Sequence, residues 1–264
     1  MIDILLSAFL LSLVLLGIHS YYGLHIIRRG IIFTDLAIGQ MAAFGAAVSI
    51  FFFHAHYLYI ISLIFALIGA SLIAITAKKN ISHEAFIGLV YALGISAAVI
   101  LLSKSPRGTE DFQKLLASDI LFVSYHEVIK TAILYTIIGL FLFFIVDKTK
   151  GVLHEFLFFL TFAITVTSSV NLTGVLVVFS ILVAPAYIIS FFRKSFCQKL
   201  IGAWIIGTII NSIAIVISYY MDFPTGYTII ALYSLLGIII ATIKKQMLLS
   251  NDTLTECMQN NNKK

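Results

Sequence analysis

Long runs without an acidic or basic residue alternate along this chain with short clusters of charge, and the run lengths set the elements. A helix that crosses a bilayer needs about 20 mostly apolar residues, since each backbone polar group must find its partner inside the segment. Residues 4–27 form one such run. Residues 36–77 are about twice the required length, and the polar break at His54, Ala55 and His56 divides them into two. Residues 85–103 make a fourth span and 131–146 a short fifth. Residues 156–192 are again about double, with the turn expected between Asn171 and Gly174, because Asn and Gly tolerate turn conformations. Residues 200–221 and 226–243 complete the set. The expected fold is all-α, a polytopic membrane helix bundle of about eight or nine transmembrane helices.

Composition strengthens this picture. Of 264 residues, 61% are hydrophobic and 11% charged, whereas a soluble domain carries about 45 to 50% apolar and about 25% charged residues. The surplus exceeds what one core can bury and must face lipid. A disordered chain, a fibrous repeat, a disulfide scaffold and a nucleic-acid binder are excluded. Cys197 and Cys257 lie far apart in polar stretches and suggest neither a disulfide framework nor a zinc motif. No basic stretch precedes the first apolar run, so the first helix is expected to persist rather than be cleaved as a signal peptide.

The charges orient the bundle. Arg28 and Arg29, Lys78 and Lys79, Lys148 and Lys150, Arg193 with Lys194 and Lys199, and Lys244 with Lys245 fall at alternate ends of successive spans. They therefore share one side, which the positive-inside rule makes the cytoplasm. The expected location is a bacterial cytoplasmic (inner) membrane, with the N-terminus outside and the C-terminus in the cytoplasm. Residues 1–245 read as a single transmembrane domain and 246–264 as a polar cytoplasmic tail, expected to be disordered and solvated. On the other side, residues 104–130 balance Lys104, Arg107, Lys114 and Lys130 against Glu110, Asp111, Asp119 and Glu127.

One acid, Asp35, falls in the apolar part of a span. A carboxylate at a helix centre costs about 2.5 to 3.5 kcal/mol on insertion scales and normally faces the bundle interior or water, so it is the first candidate for a transport path. The alternative is a salt bridge to Arg29, about 9 Å away along a helix. Gln40 could assist a cation through its amide oxygen or tie helices together. His19 and His25 have the imidazoles that suit zinc, iron and related ions, though packing is the commoner role of a membrane histidine. His54 and His56 could hand over a metal at an outer turn, or belong with Tyr57 and Tyr59 to an interfacial belt. No GxxxxGK[ST], HExxH, GxSxG or CxxC motif occurs, so enzymatic activity is not expected and energy must come from an ion gradient or a partner ATPase.

Four segments, in order, resemble the permease subunits of bacterial ABC importers for zinc, manganese and iron. The first runs from Arg28 and Arg29 through Ile32, Phe33, Thr34 and Asp35 to Gln40 and Gly45. The second contains Ile87, Gly88, Leu89, Val90 and Tyr91, similar to the glycine-containing fourth span of that family. The third, GVLVVFSILVAPAYIIS from Gly174 to Ser190, is similar to its strongest signature, and the fourth is Asp222, Phe223, Pro224, Thr225 and Gly226. The likeness covers nearly the whole chain. It departs in two places. The family usually places a His four residues after the Asp, where this chain has Gly39, with Gln40 one position further; that spacing turns Gln40 about 140° from Asp35. The loop that in the family holds a coupling helix is reduced to DKTKGVLHE.

The resemblance implies a permease that holds no cofactor of its own, with ATP and Mg on a partner ATP-binding cassette subunit, an extracytoplasmic metal-binding protein that delivers the ion, and a second copy of this chain. It further implies a path past Asp35, Gly39 and Gln40 with a metal contact at Asp35, while His19 and His25 are candidate metal contacts only through their imidazoles. Coupling to the ATPase would fall to Lys148, Lys150, Gly151, His154 and Glu155, in abbreviated or weakened form; Pro185, which lacks a backbone donor and should kink its span, is a candidate hinge or a feature of simple helix packing. The competing expectation is a gradient-driven secondary transporter or channel for a small cation. That class usually shows several intramembrane carboxylates or a repeated half with broken helices.

Overall fold

The computed structural model describes residues 2–76, 83–118, 120–192 and 195–261. Lys78, Lys79, Asp119, Arg193 and Lys194 lie outside the described residues. The helices in order are α1 (Ile2–Arg29), α2 (Thr34–Phe53), α3 (Leu58–Thr76), α4 (His83–Leu102), α5 (Gly108–Leu116), α6 (Tyr125–Phe144), α7 (Val152–Thr173), α8 (Val175–Ser190), α9 (Phe196–Met221) and α10 (Thr225–Asn261). Short 3-10 turns at Ile120–Phe122 and Val146–Lys148 precede α6 and α7. Among the described residues, 8 helices are long and apolar enough to cross a membrane, and α8 is equally apolar at 16 residues. The expected all-α bundle is therefore the observed one.

The differences from the apolar-run reading have local causes. Helix α6 starts at Tyr125 instead of Thr131, because Ser124 caps it by accepting from the Glu127 N–H and Glu127 pairs with Lys130 at 2.9 Å on its first turns. Charges read as loop thus open a helix. Asn171 is not in a turn: α7 continues to Thr173, and Asn171 finds Ser62 of α3 instead, with the Ser62 hydroxyl donating to its amide oxygen at 3.4 Å. The reversal is made at Gly174 alone, at φ +85°. Residues 104–130 hold the amphipathic helix α5, stitched to the α7–α8 junction by the Ser118 N–H donating to the Thr173 carbonyl at 2.9 Å. Of the tail expected to be disordered, residues 246–261 are helical and continue α10 to Asn261.

Helix α2 is the centre of the bundle. In lipid there is little hydrophobic drive between helices, so close approach over small residues holds them together. The sequence of α2, TDLAIGQMAAFGAAVSIFFF, supplies such a surface, and most of it from Thr34 to Ala47 is buried. Glycines mark the closest approaches. A Cβ on Gly45 would lie 2.7 Å from the Ile61 carbonyl oxygen of α3, and one on Gly94 of α4 would lie 2.9 Å from the Gln40 carbonyl carbon of α2. Behind this core, Gly23 brings α1 against α8, where a Cβ would collide with the Leu182 carbonyl oxygen.

Candidate functional site

Helix α1 ends on a Schellman turn. Gly30 takes φ +70°, its N–H donates to the Ile27 carbonyl at 3.2 Å, and the Ile31 N–H donates to the Ile26 carbonyl at 3.3 Å, with Ile26 and Ile31 both buried. The chain then enters α2 at Thr34, and Asp35 sits in its first turn, only 1% exposed. Neither Asp35 carboxylate oxygen nor the Thr34 hydroxyl has a hydrogen-bond partner among the described residues. A helix N-terminus favours a negative charge, yet a buried carboxylate without a donor is a site for a cation or a proton. The salt bridge considered for Asp35 does not form, because Arg29 turns the other way.

Gly39 lies one turn, about 6 Å, beyond Asp35 on the same face of α2. A Cβ there would meet Val175 Cγ1 at 2.9 Å and Val170 Cγ2 at 3.7 Å, so two valines from the α7–α8 junction occupy the room a longer side chain at this position would need. Gln40 is buried, with its amide nitrogen unpartnered, at the level where α4 abuts the α2 backbone through Gly94. The Asp35 and Gly39 face meets α7 and α8, and Gln40 starts the next face, as the spacing anticipates.

His19 lies buried in a chain of hydrogen bonds between helices. Its Nδ1–H donates to the Leu15 carbonyl at 2.7 Å, and its Nε2 lies 3.0 Å from the Ser169 hydroxyl, within hydrogen-bond distance. Ser169 is in turn 2.5 Å from the Tyr135 hydroxyl, so a buried chain of hydrogen bonds joins α1, α7 and α6 and occupies both ring nitrogens. His25 packs among Tyr21, Phe196 and Phe158 in tilted or edge-on contacts, with ring centroids 4.5, 5.1 and 5.9 Å away. Among the described residues, no group of three or more His, Cys, Asp or Glu is placed to hold a metal ion.

The segment read as a coupling loop divides in two. Lys148, Lys150 and Gly151 are exposed, followed at the start of α7 by Val152, 61% exposed, and Leu153, 57% exposed. His154 and Glu155 turn inward. Arg29 Nη1 donates to Glu155 Oε2 at 2.6 Å, Arg29 Nη2 donates to His154 Nε2 at 3.2 Å, and the guanidinium carbon stands 4.4 Å over the Phe158 ring. His154 Nδ1–H closes the loop by donating to the Val146 carbonyl at 2.9 Å. Pro185 is buried within α8 and leaves the Ile181 carbonyl without its helical donor, next to the crossing of α1 over Leu182. The sequence reading missed the Arg29–Glu155 pair and the Tyr135–Ser169–His19 chain. The only trace of the latter was the unusual run of hydroxyls along α7, from Thr161 to Thr173.

Fold and site together define a multi-pass membrane protein built around one small-residue helix that carries an unpaired acid. The chain belongs to the ABC 3 transport family, which it matches over residues 1–244, the family that the sequence resemblance names. It is 22% identical over 254 residues to a probable iron transport system membrane protein of Haemophilus influenzae, covering 90% of this chain and 89% of that one. Over 261 residues it is 26% identical to a probable metal transport system membrane protein of Treponema pallidum, covering 89% and 94% of the two. Among solved structures it shares the fold of PsaBC from Streptococcus pneumoniae, described in complex with Fab, at TM-score 0.74 and 18% identity over 90% of each chain.

Proposed function

We propose that this chain is the membrane-spanning permease subunit of an ATP-driven importer of divalent metal ions, of the zinc, manganese or iron class. It forms the translocation path, pairs with a second copy of itself, couples to separate ATP-binding cassette subunits that hold ATP and Mg, and receives its ion from an extracytoplasmic binding protein. The basic end of the bundle, with Arg29, Lys148, Lys150 and Lys199, faces the bacterial cytoplasm, and the N-terminus is outside.

The observation that carries this reading is Asp35, a buried carboxylate without a partner on the central helix of a chain from this family. A carboxylate in the first turn of α2 lowers the cost of a cation there, while one turn further on two valines close against Gly39. Asp35 is the one buried carboxylate among the described residues, which favours ATP-driven transport over a gradient-driven carrier with several intramembrane acids. The test is metal uptake into proteoliposomes holding the chain with its ATPase and binding protein. Uptake should require ATP, survive collapse of the ion gradients, and fall at least about tenfold in Asp35→Asn, roughly the factor that 1.4 kcal/mol of lost cation stabilisation produces. Uptake that persists without ATP, or that Asp35→Asn leaves unchanged, refutes the reading.

A further inference from the structure

The Arg29–Glu155 pair joins two parts of the molecule that an importer must connect. Glu155 stands at the start of α7, directly after the exposed stretch Lys148, Lys150, Gly151, Val152 and Leu153. Arg29 is the last residue of α1, six positions before Asp35. Both connections are stiff. On the α7 side, the Val146 carbonyl accepts the Thr149 N–H at 3.0 Å, the Thr149 hydroxyl at 2.8 Å and His154 Nδ1–H at 2.9 Å, so the short loop cannot flex independently of His154 and Glu155. On the α1 side, the Schellman turn and the Thr34 N–H donating to the Ile31 carbonyl at 3.1 Å leave no slack between Arg29 and the first turn of α2.

We propose that Arg29 is a positioning residue for transport: with Glu155 and His154 it forms the strut through which displacement of the exposed 148–153 segment by a cytoplasmic partner moves the α1–α2 turn and hence Asp35. The planar fork suits this task. It engages a carboxylate oxygen and an imidazole nitrogen at once and stands over the Phe158 ring, so it resists both separation and rotation, which a single ammonium would not. The pair is also placed to bear load without being sealed in, at 23% and 35% side-chain exposure. It accounts for the shortness of the loop. A segment tied directly to the turn before Asp35 needs no separate helix to carry motion inward.

This inference rests on the permease reading, and its test separates the two. The full complex is reconstituted with its ATPase and binding protein, and ATP hydrolysis and metal uptake are measured on the same vesicles. A wild-type complex that hydrolyses ATP without metal uptake overturns the permease reading itself. Given wild-type uptake, Glu155→Gln and Arg29→Gln should keep the assembled complex and keep ATP hydrolysis within about twofold, while uptake per ATP falls at least about tenfold. Arg29→Lys, which keeps the charge and loses the fork, should fall between. The exchanged pair Arg29→Glu with Glu155→Arg should recover part of the lost coupling. Unchanged uptake per ATP in either single variant overturns the proposal. So does a parallel loss of assembly, hydrolysis and uptake that the exchanged pair fails to restore, since that marks a merely structural contact.

Discussion

Gly39 offers a test of how tightly the helices meet beside Asp35. A methyl group at this position stands 2.9 Å from Val175 Cγ1, where carbon atoms rest about 3.5 to 4.0 Å apart, so one of them must give by about 0.6 Å or more. Val175 has little freedom to retreat. It follows Gly174, itself at φ +85° and so close to α5 that a Cβ there would lie 2.6 Å from the Ala117 backbone nitrogen. Overpacking of this kind costs about 1 to 3 kcal/mol. Alanine inside a helix gains about 1 kcal/mol over glycine, so Gly39→Ala should destabilise by about 0 to 2 kcal/mol. Val175→Ala removes the clashing methyl. In that background Gly39→Ala keeps its helix gain without the clash and should become stabilising, a coupling of about 1 to 3 kcal/mol across the double-mutant cycle. Denaturant unfolding of the four proteins in detergent micelles measures this directly. If Gly39→Ala has the same effect in both backgrounds, the valine does not limit the approach of α2 to the α7–α8 junction and the steric argument is wrong.

Two further outcomes follow from contacts elsewhere in the bundle. Ser169→Ala removes the link between His19 and Tyr135; interhelical hydrogen bonds in membranes average about 0.6 kcal/mol and reach about 1.7, so the loss of two should cost about 1 to 3 kcal/mol, and Tyr135→Phe should then cost less in the Ser169→Ala background than alone, with equal costs in both refuting the chain of bonds. The single tryptophan, Trp204, is 41% exposed on an apolar face of α9 and donates to the Gly17 carbonyl at 3.1 Å; its fluorescence in vesicles should be strongly quenched by brominated lipid chains and little by aqueous iodide, and the reverse pattern would place this face in an aqueous or protein-covered setting.

Fold class was legible because membrane solvent leaves so few options: charge-free stretches of sufficient length must become helices, and they do. What the charge map misplaced were elements decided by polar contacts at short range. The start of α6 escaped because Glu127 and Lys130 pair on the helix and Ser124 caps it. Helix α5 escaped because nine residues of mixed charge carry no apolar run. Asp35 was picked out correctly as the buried acid, since an isolated charge between apolar runs is visible in one dimension. Its relation to Arg29 was not visible. The two are six positions apart and the nearest base to an acid is the natural partner, but a left-handed glycine between them sends the chain back on itself and delivers Arg29 to Glu155, 126 residues away.

The manner of contact around α2 also says where the bundle is stiff and where it can part. Against α4, the Gly94 position meets the carbonyl carbon and oxygen of Gln40 and the nitrogen of Met41; against α3, the Gly45 position meets the Ile61 carbonyl and the Ser62 Cα. These are backbone against backbone, and no rotamer change can relieve or lengthen them, so α2, α3 and α4 move together. Helices α1 and α8 are locked in the same way where Gly23 meets the Leu182 carbonyl. Between the two groups, on the face that carries Asp35, the contact at Gly39 is made by valine methyl groups. Side chains can turn and slide where backbones cannot. The Arg29 turn is the covalent bridge between these groups, and its ion pair to Glu155 and hydrogen bond to His154 are polar ties to α7 that a partner at the basic end could pull on. A rigid pair of helix groups, a side-chain seam passing the buried acid and a strut at the turn that joins them are parts from which discrete alternative packings can be built, as the proposed transport past Asp35 requires.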